Sequence, residues 1–157
     1  MLTRIIEEKI INSIKQIEYL SLLKGDMGVC IFFYIMGMKE KNENFSTYGD
    51  ALLNKIISQM KENLKLDIET GILGLALGID YLVKYNYIKG DINEILYEVD
   101  CIVYQEICCI MKMKKDDIQQ DNTLDVLLYF IMRYKGTKSS SQKILFKRTG
   151  PYAKVRG

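Results

Sequence analysis

ETGILGLALGIDYLVKY, residues Glu69 to Tyr85, decides the fold. It reads as one apolar helix, yet it contains Gly71, Gly74 and Gly78. A glycine inside a helix costs about 0.5–1 kcal/mol relative to alanine, so three of them require an offsetting gain. Their i, i+3, i+7 spacing puts them near one helical face. Bare backbone on that face admits another backbone, and the added dispersion contacts offset the penalty.

A second stretch has the same form. SLLKGDMGVCIFFYIMG, from Ser21, carries Gly25 and Gly28 at the spacing of Gly71 and Gly74, displaced by 46 residues in both cases. That period suits one helical hairpin with its two connections. Between the glycine segments lies FSTYGDALLNKIISQMKENL, from Phe45, with Leu52, Ile56, Met60 and Leu64 at every fourth position. It predicts an amphipathic helix, with Thr47 and Asp50 spaced as a capping box at its start.

GDINEILYEVDCIVYQEICCIMK, from Gly90, repeats the arrangement: Asp91 as N-cap, then a stripe of Ile92, Ile95, Leu96, Val99, Ile102 and Val103. The opening segment TRIIEEKIINSIKQIEYL, from Thr3, predicts another amphipathic helix. A helix that is apolar all round must be enclosed by others. The alternation therefore predicts an all-α protein of antiparallel helical hairpins in two layers, with glycine helices inside and amphipathic helices outside. A third hairpin is present in worn form: DIQQDNTLDVLLYFIMRYKG, from Asp117, has the apolar segment, but neither plausible register keeps the glycine pair.

Composition agrees. The 157 residues are 48% hydrophobic, enough for one domain with a proper core. The lone proline, Pro151, and the scarcity of period-two alternation argue against sheet. Net charge is +2, which gives no ground for a nucleic-acid partner. Residues 138–157 hold six basic and no acidic residues, leaving the first 137 at −4. The longest uncharged apolar run, Val29 to Met38, is half of the roughly 20 residues that a membrane span needs. Arg4, Glu7 and Glu8 interrupt the apolar stretch that a signal peptide would require. A soluble, cytoplasmic protein is the expectation, with Cys30, Cys101, Cys108 and Cys109 as reduced, buried thiols.

From Tyr19 to Asp100 the chain resembles the N-terminal part of lanthionine synthetase C-like proteins. The resemblance rests on the two Gly-x-x-Gly segments in context, followed by Asp80-Tyr81-Leu82 and by Gly90-Asp91-x-Asn93-Glu94. It implies an α/α toroid, an inner and an outer ring of helices with glycine-bearing turns facing a central cavity. Here that toroid would be incomplete, with about three hairpins. Members with a full site hold zinc by two cysteines and a histidine. They activate a peptide thiol that adds to a dehydroalanine or dehydrobutyrine and closes a thioether ring.

This chain departs from that pattern. It has no histidine, and the family's ligands come from later hairpins than the region matched. Cys101, Cys108 and Cys109 cannot rebuild the site from one helix. Neighbours diverge by about 100°, and Cys101 and Cys108 are separated by about 10 Å of rise, whereas zinc needs each sulfur about 2.3 Å away. Neither metal ligands nor catalytic residues are therefore assigned, and no cofactor is expected. Asp116, Asp117, Asp121 and Asp125 read as solvated charge near a helix start. Gly71-x-x-Gly74 lacks the Gly-Lys-Ser/Thr of a phosphate loop.

Residues 1–137 are accordingly read as a partial α/α-toroid domain, with Gly25, Gly28, Gly71, Gly74 and Gly78 as structural motif residues. Residues 138–157 are read as a basic flexible tail, whose shift in composition suits a truncated reading frame. The functional expectation is a truncated or accessory lanthionine synthetase C-like protein without the zinc site, not catalytic alone. Its expected partners are a ribosomal peptide, another protein or a second copy. The alternative is a short α-solenoid adaptor.

Overall fold

The computed structural model describes residues 20, 22, 23, 25–59, 65–112 and 122–136. Among them every regular element is a helix: α1 Asp26–Glu40, α2 Glu43–Gln59, α3 Ile72–Lys84, the single turn α4 Ile92–Ile95, α5 Tyr97–Ile110 and α6 Thr123–Gly136. No described helix is long and apolar enough to cross a membrane. The opening amphipathic segment, the basic tail, Met60, Leu64, Asp116, Asp117 and Asp121 lie outside the described residues. The chain divides into two compact units, Met1–Ile92 and Asn93–Gly157.

In the first unit, α1 and α2 are joined by Lys41 and Asn42 alone. Lys41 takes the left-handed conformation (φ 50°, ψ 40°), and the Asn42 amide donates to the Gly37 carbonyl at 3.2 Å, which closes α1. The partners then run in opposite directions. Asp26 meets Lys55, Cys30 meets Gly49, and Gly37 faces Ser46, so the two helices are antiparallel. Gly37 and Gly49 are the small residues that permit this approach. A Cβ on Gly49 would lie 3.1 Å from the Tyr34 ring.

The expected capping box is displaced. Thr47 sits inside α2, its hydroxyl donating to the Glu43 carbonyl at 3.0 Å. Asn42 caps the helix instead, its Oδ1 accepting from the Asn44 amide at 3.0 Å. The helix gains a turn because Phe45, buried against Phe33 with ring centroids 6.1 Å apart, belongs to the packed face. Leu52 and Ile56 are buried as the amphipathic pattern requires.

Helix α3 is enclosed as an all-apolar helix must be: every residue from Leu73 to Ile79 is buried, and so is Leu82. Helix α1 is not. It buries Met27, Cys30, Phe33, Tyr34 and Gly37, while Phe32 and Met38 face out. Its apolar surface is wider than the face it packs.

The second unit is built on α5 against α6. Leu96, Val99, Val103, Ile107 and Ile110 form the buried stripe of α5 and its approach, opposite Val126 and Tyr129 of α6. Ile95 and Ile102, placed on the stripe by sequence, are exposed. The break at Leu96, between α4 and α5, resets the helical phase that a single uninterrupted helix would have kept.

Candidate functional site

The glycine segments occupy equivalent places. Gly25 precedes α1 and Gly71 precedes α3, both in extended backbone (φ −136° and −106°). Gly28 and Gly74 are then the third residue of each helix, so the displacement of 46 holds for both helix starts. What the glycines meet differs from the helix crossing expected from the sequence. A Cβ on Gly28 would lie 2.5 Å from the carbonyl oxygen of Leu22, and one on Gly74 would strike the carbonyl oxygen of Ile68. In each case the chain entering the helix folds back over its first turn, six residues before the glycine.

The same loops supply acceptors to first-turn amides that a helix leaves unpaired. The Met27 amide donates to the Leu20 carbonyl at 3.1 Å, and the Ile72 amide to the Lys65 carbonyl at 2.9 Å. Gly71 lies outside its helix, so the intrinsic penalty there does not arise. Its room is needed by the Lys65 and Asp67 carbonyls. Half-buried Asp67 fixes this loop, accepting from the Thr70 amide at 2.6 Å and from the Gly71 amide at 3.1 Å.

The loop before α1 also reaches α3. The Leu22 amide nitrogen lies 3.2 Å from the place of a Gly74 Cβ. Of the five motif glycines only Gly78 faces a neighbouring helix through a side chain, meeting the buried Met27 of α1. The glycines are thus a device for seating loops on helix starts, with one helix contact added.

Two polar groups inside the units escaped the sequence reading. Between α1 and α2, wholly buried Asp26 has Lys55 Nζ 2.6 Å from its Oδ2 as countercharge. Among the described residues neither carboxylate oxygen takes a well-aligned hydrogen bond. One turn on, the Cys30 thiol donates to the Gly49 carbonyl at 3.3 Å, and the Tyr34 hydroxyl donates to Asp50 Oδ1 at 2.5 Å. Burial first, then the charges of Asp50 and Asp26, push the Cys30 thiol up to about 12. Burial and the hydrogen bond to Asp50 likewise raise Tyr34. At neutral pH both stay protonated, and Cys30 offers no thiolate nucleophile.

In the second unit, Arg133 of α6 grips Asp100 of α5 through Nε (3.1 Å) and Nη2 (2.8 Å), and the Tyr129 hydroxyl donates to Asp100 Oδ1 at 2.8 Å. All three side chains are buried. Burial and the Asp100 charge raise Tyr129 strongly, against the opposing pull of Arg133. The arrangement engages both oxygens of the carboxylate and works as a clasp between helices. A signal existed: Asp100 falls on the Leu96–Val103–Ile107 stripe, and Arg133 lies four residues after Tyr129. Charges at core positions require partners.

The thiols do not gather. Cys30 is buried, Cys101 and Cys108 are half-buried, and Cys109 is exposed, contrary to the expectation of four buried thiols. Among the described residues no three His, Cys, Asp or Glu side chains come together as a metal-binding group. Asp125, from the acidic cluster, is half-buried in the first turn of α6. No protein-family model, curated protein or solved structure matches this chain.

Proposed function

We propose that this chain is a lanthionine synthetase C-like helical module that binds a peptide or protein partner and does not itself close thioether rings. The observation that carries this reading is the repeated helix entry. Gly25 and Gly28 on α1 and Gly71 and Gly74 on α3 sit at equivalent helix positions, and in both repeats the incoming loop crosses the third helical residue. Such paired, glycine-seated loops resemble the inner-helix turns that face the cavity of the toroid. An incomplete ring of about three antiparallel hairpins is the architecture we infer from them.

The chemistry follows from side chains the chain has and lacks. The family's thiol activation uses a histidine beside two cysteines, and this sequence contains no histidine. Cys30, on the glycine-bearing helix α1, is held protonated. The four cysteines are unpaired, which suits a reducing, cytoplasmic setting. A short α-solenoid adaptor is the second reading, favoured by the uncovered apolar face of α6.

A labelled peptide carrying both a dehydroamino acid and a cysteine tests the proposal. Fluorescence anisotropy should report saturable binding. Alkylation followed by mass spectrometry should find the peptide thiol still free after incubation with equimolar zinc. Loss of that thiol makes the chain a cyclase; absence of binding leaves the adaptor.

A further inference from the structure

Helix α6 is apolar on two opposite faces. Val126, Tyr129 and Arg133 point inward and are at most 2% exposed. On the far side Leu124, Leu128, Ile131 and Met132 are 79, 49, 46 and 50% exposed. Leu124, Leu128, Ile131 and Lys135 recur at i, i+4, i+7 and i+11, the seam spacing of one helix packed along another. A helix apolar all round is normally enclosed, and this one is enclosed on half of its circumference.

We propose that this outer face pairs with the same face of a second copy, the two α6 helices running antiparallel about a two-fold axis. Charge selects both the partner and the direction. Asp125 stands in the first turn of α6, and exposed Lys135 in the last. In the sequence Asp116, Asp117 and Asp121 lie between Lys114-Lys115 and the helix, and every charged residue after Arg133, which itself pairs with Asp100, is basic. Antiparallel self-pairing sets each acidic end beside a basic end, twice by symmetry, and opposes the helix dipoles favourably. Parallel pairing would set like charges together. With Leu128 opposite the partner copy's Ile131, Lys135 meets the end that carries Asp125.

This inference stands on α6 alone and is independent of the lanthionine synthetase C-like reading. A helix of 14 residues spans about 21 Å, so the interface falls below the roughly 1,600 Å² of a standard complex. Dimerisation is therefore of the weak, transient class, to be sought at protein concentrations of about 10–500 µM.

Sedimentation equilibrium of the full chain across that range, at low and high salt, tests it. The wild type should dimerise, more weakly in salt. Leu128→Glu, on a half-exposed position, should weaken the dimer about tenfold or more with helicity unchanged by circular dichroism. Lys135→Glu should weaken it less and remove most of the salt dependence. A wild type that stays monomeric throughout overturns the proposal; if Leu128→Glu then also lowers the melting temperature, a segment of the same chain covers the face. A dimer indifferent to both substitutions places the interface elsewhere and overturns it equally.

Discussion

Leu22 and Gly74 meet through bare backbone: the Leu22 amide nitrogen lies 3.2 Å from where a Gly74 Cβ would stand, while the Leu22 carbonyl rests against Gly28. One loop therefore touches both glycine-bearing helices. The contact depends on two missing side chains, and this makes it easy to test.

Gly74→Ala should destabilise the protein by about 1–3 kcal/mol, because the new methyl group meets the backbone of Ile68, which cannot swing aside. Gly78→Ala should cost less. Its methyl group meets the buried Met27 side chain, which repacks more readily than backbone, and alanine recovers up to about 1 kcal/mol of helix propensity mid-helix. Urea unfolding of both variants gives the order. A larger loss at Gly78 would mean that the helix contact, not the loop contact, limits the fold.

Asp100 and Arg133 give a second pair of expectations. Arg133→Met leaves a buried carboxylate with only the Tyr129 hydroxyl, and should cost about 3–5 kcal/mol. Replacing both, Asp100→Leu with Arg133→Met, should recover much of that loss, since no charge then remains inside. Thermal melts of the two variants measure the difference. Equal destabilisation would show that the clasp matters by shape and not by charge.

At the start of α2, Asn42→Ala should cost about 0.5–2 kcal/mol by removing the side-chain acceptor for the Asn44 amide. Thr47→Ala should change stability by less than about 0.5 kcal/mol, because its hydroxyl bonds back along the helix. The reverse order in urea unfolding would restore the later helix start suggested by the sequence.

Cys30 should impose an alkaline dependence on stability. Below about pH 9 its thiol is protonated whether the chain is folded or unfolded. Between the ordinary value of 9.0 and the folded value of about 12, the unfolded chain releases a proton that the folded chain keeps. Stability therefore falls as pH rises through that window, by up to about 1.4 kcal/mol per pH unit for this group. Urea unfolding from pH 8 to 10.5 should show a shallower decline for Cys30→Ala than for the wild type. In the same protein, thiol reagents at pH 8 should label exposed Cys109 at once and Cys30 only on unfolding.

Local pattern carried far along this chain. The displacement of 46 between Gly25-x-x-Gly28 and Gly71-x-x-Gly74 is recovered in the starts of α1 and α3, because a glycine pair and an apolar run act within a few residues of themselves. The buried positions Leu52, Ile56, Val99 and Val103 were legible for the same reason: helical periodicity fixes a face without reference to any other segment. The α-helical character of the described residues followed from those patterns.

Tertiary structure decided what the faces meet. Spacing alone put Gly74 against another helix, whereas the obstacle is the Ile68 carbonyl of its own entry loop, a matter of how the loop turns. Asp100 stands on the apolar stripe of α5, but its partners Arg133 and Tyr129 come to it only across the α5–α6 contact. The outer face of α6 reads in sequence as core, and only packing reveals that Leu124 and Leu128 stand exposed. Periodicity dictates which side of a helix is apolar, because it is set by bonded geometry. Which apolar side becomes buried is a competition among segments far apart in the chain, and that competition is resolved only in three dimensions.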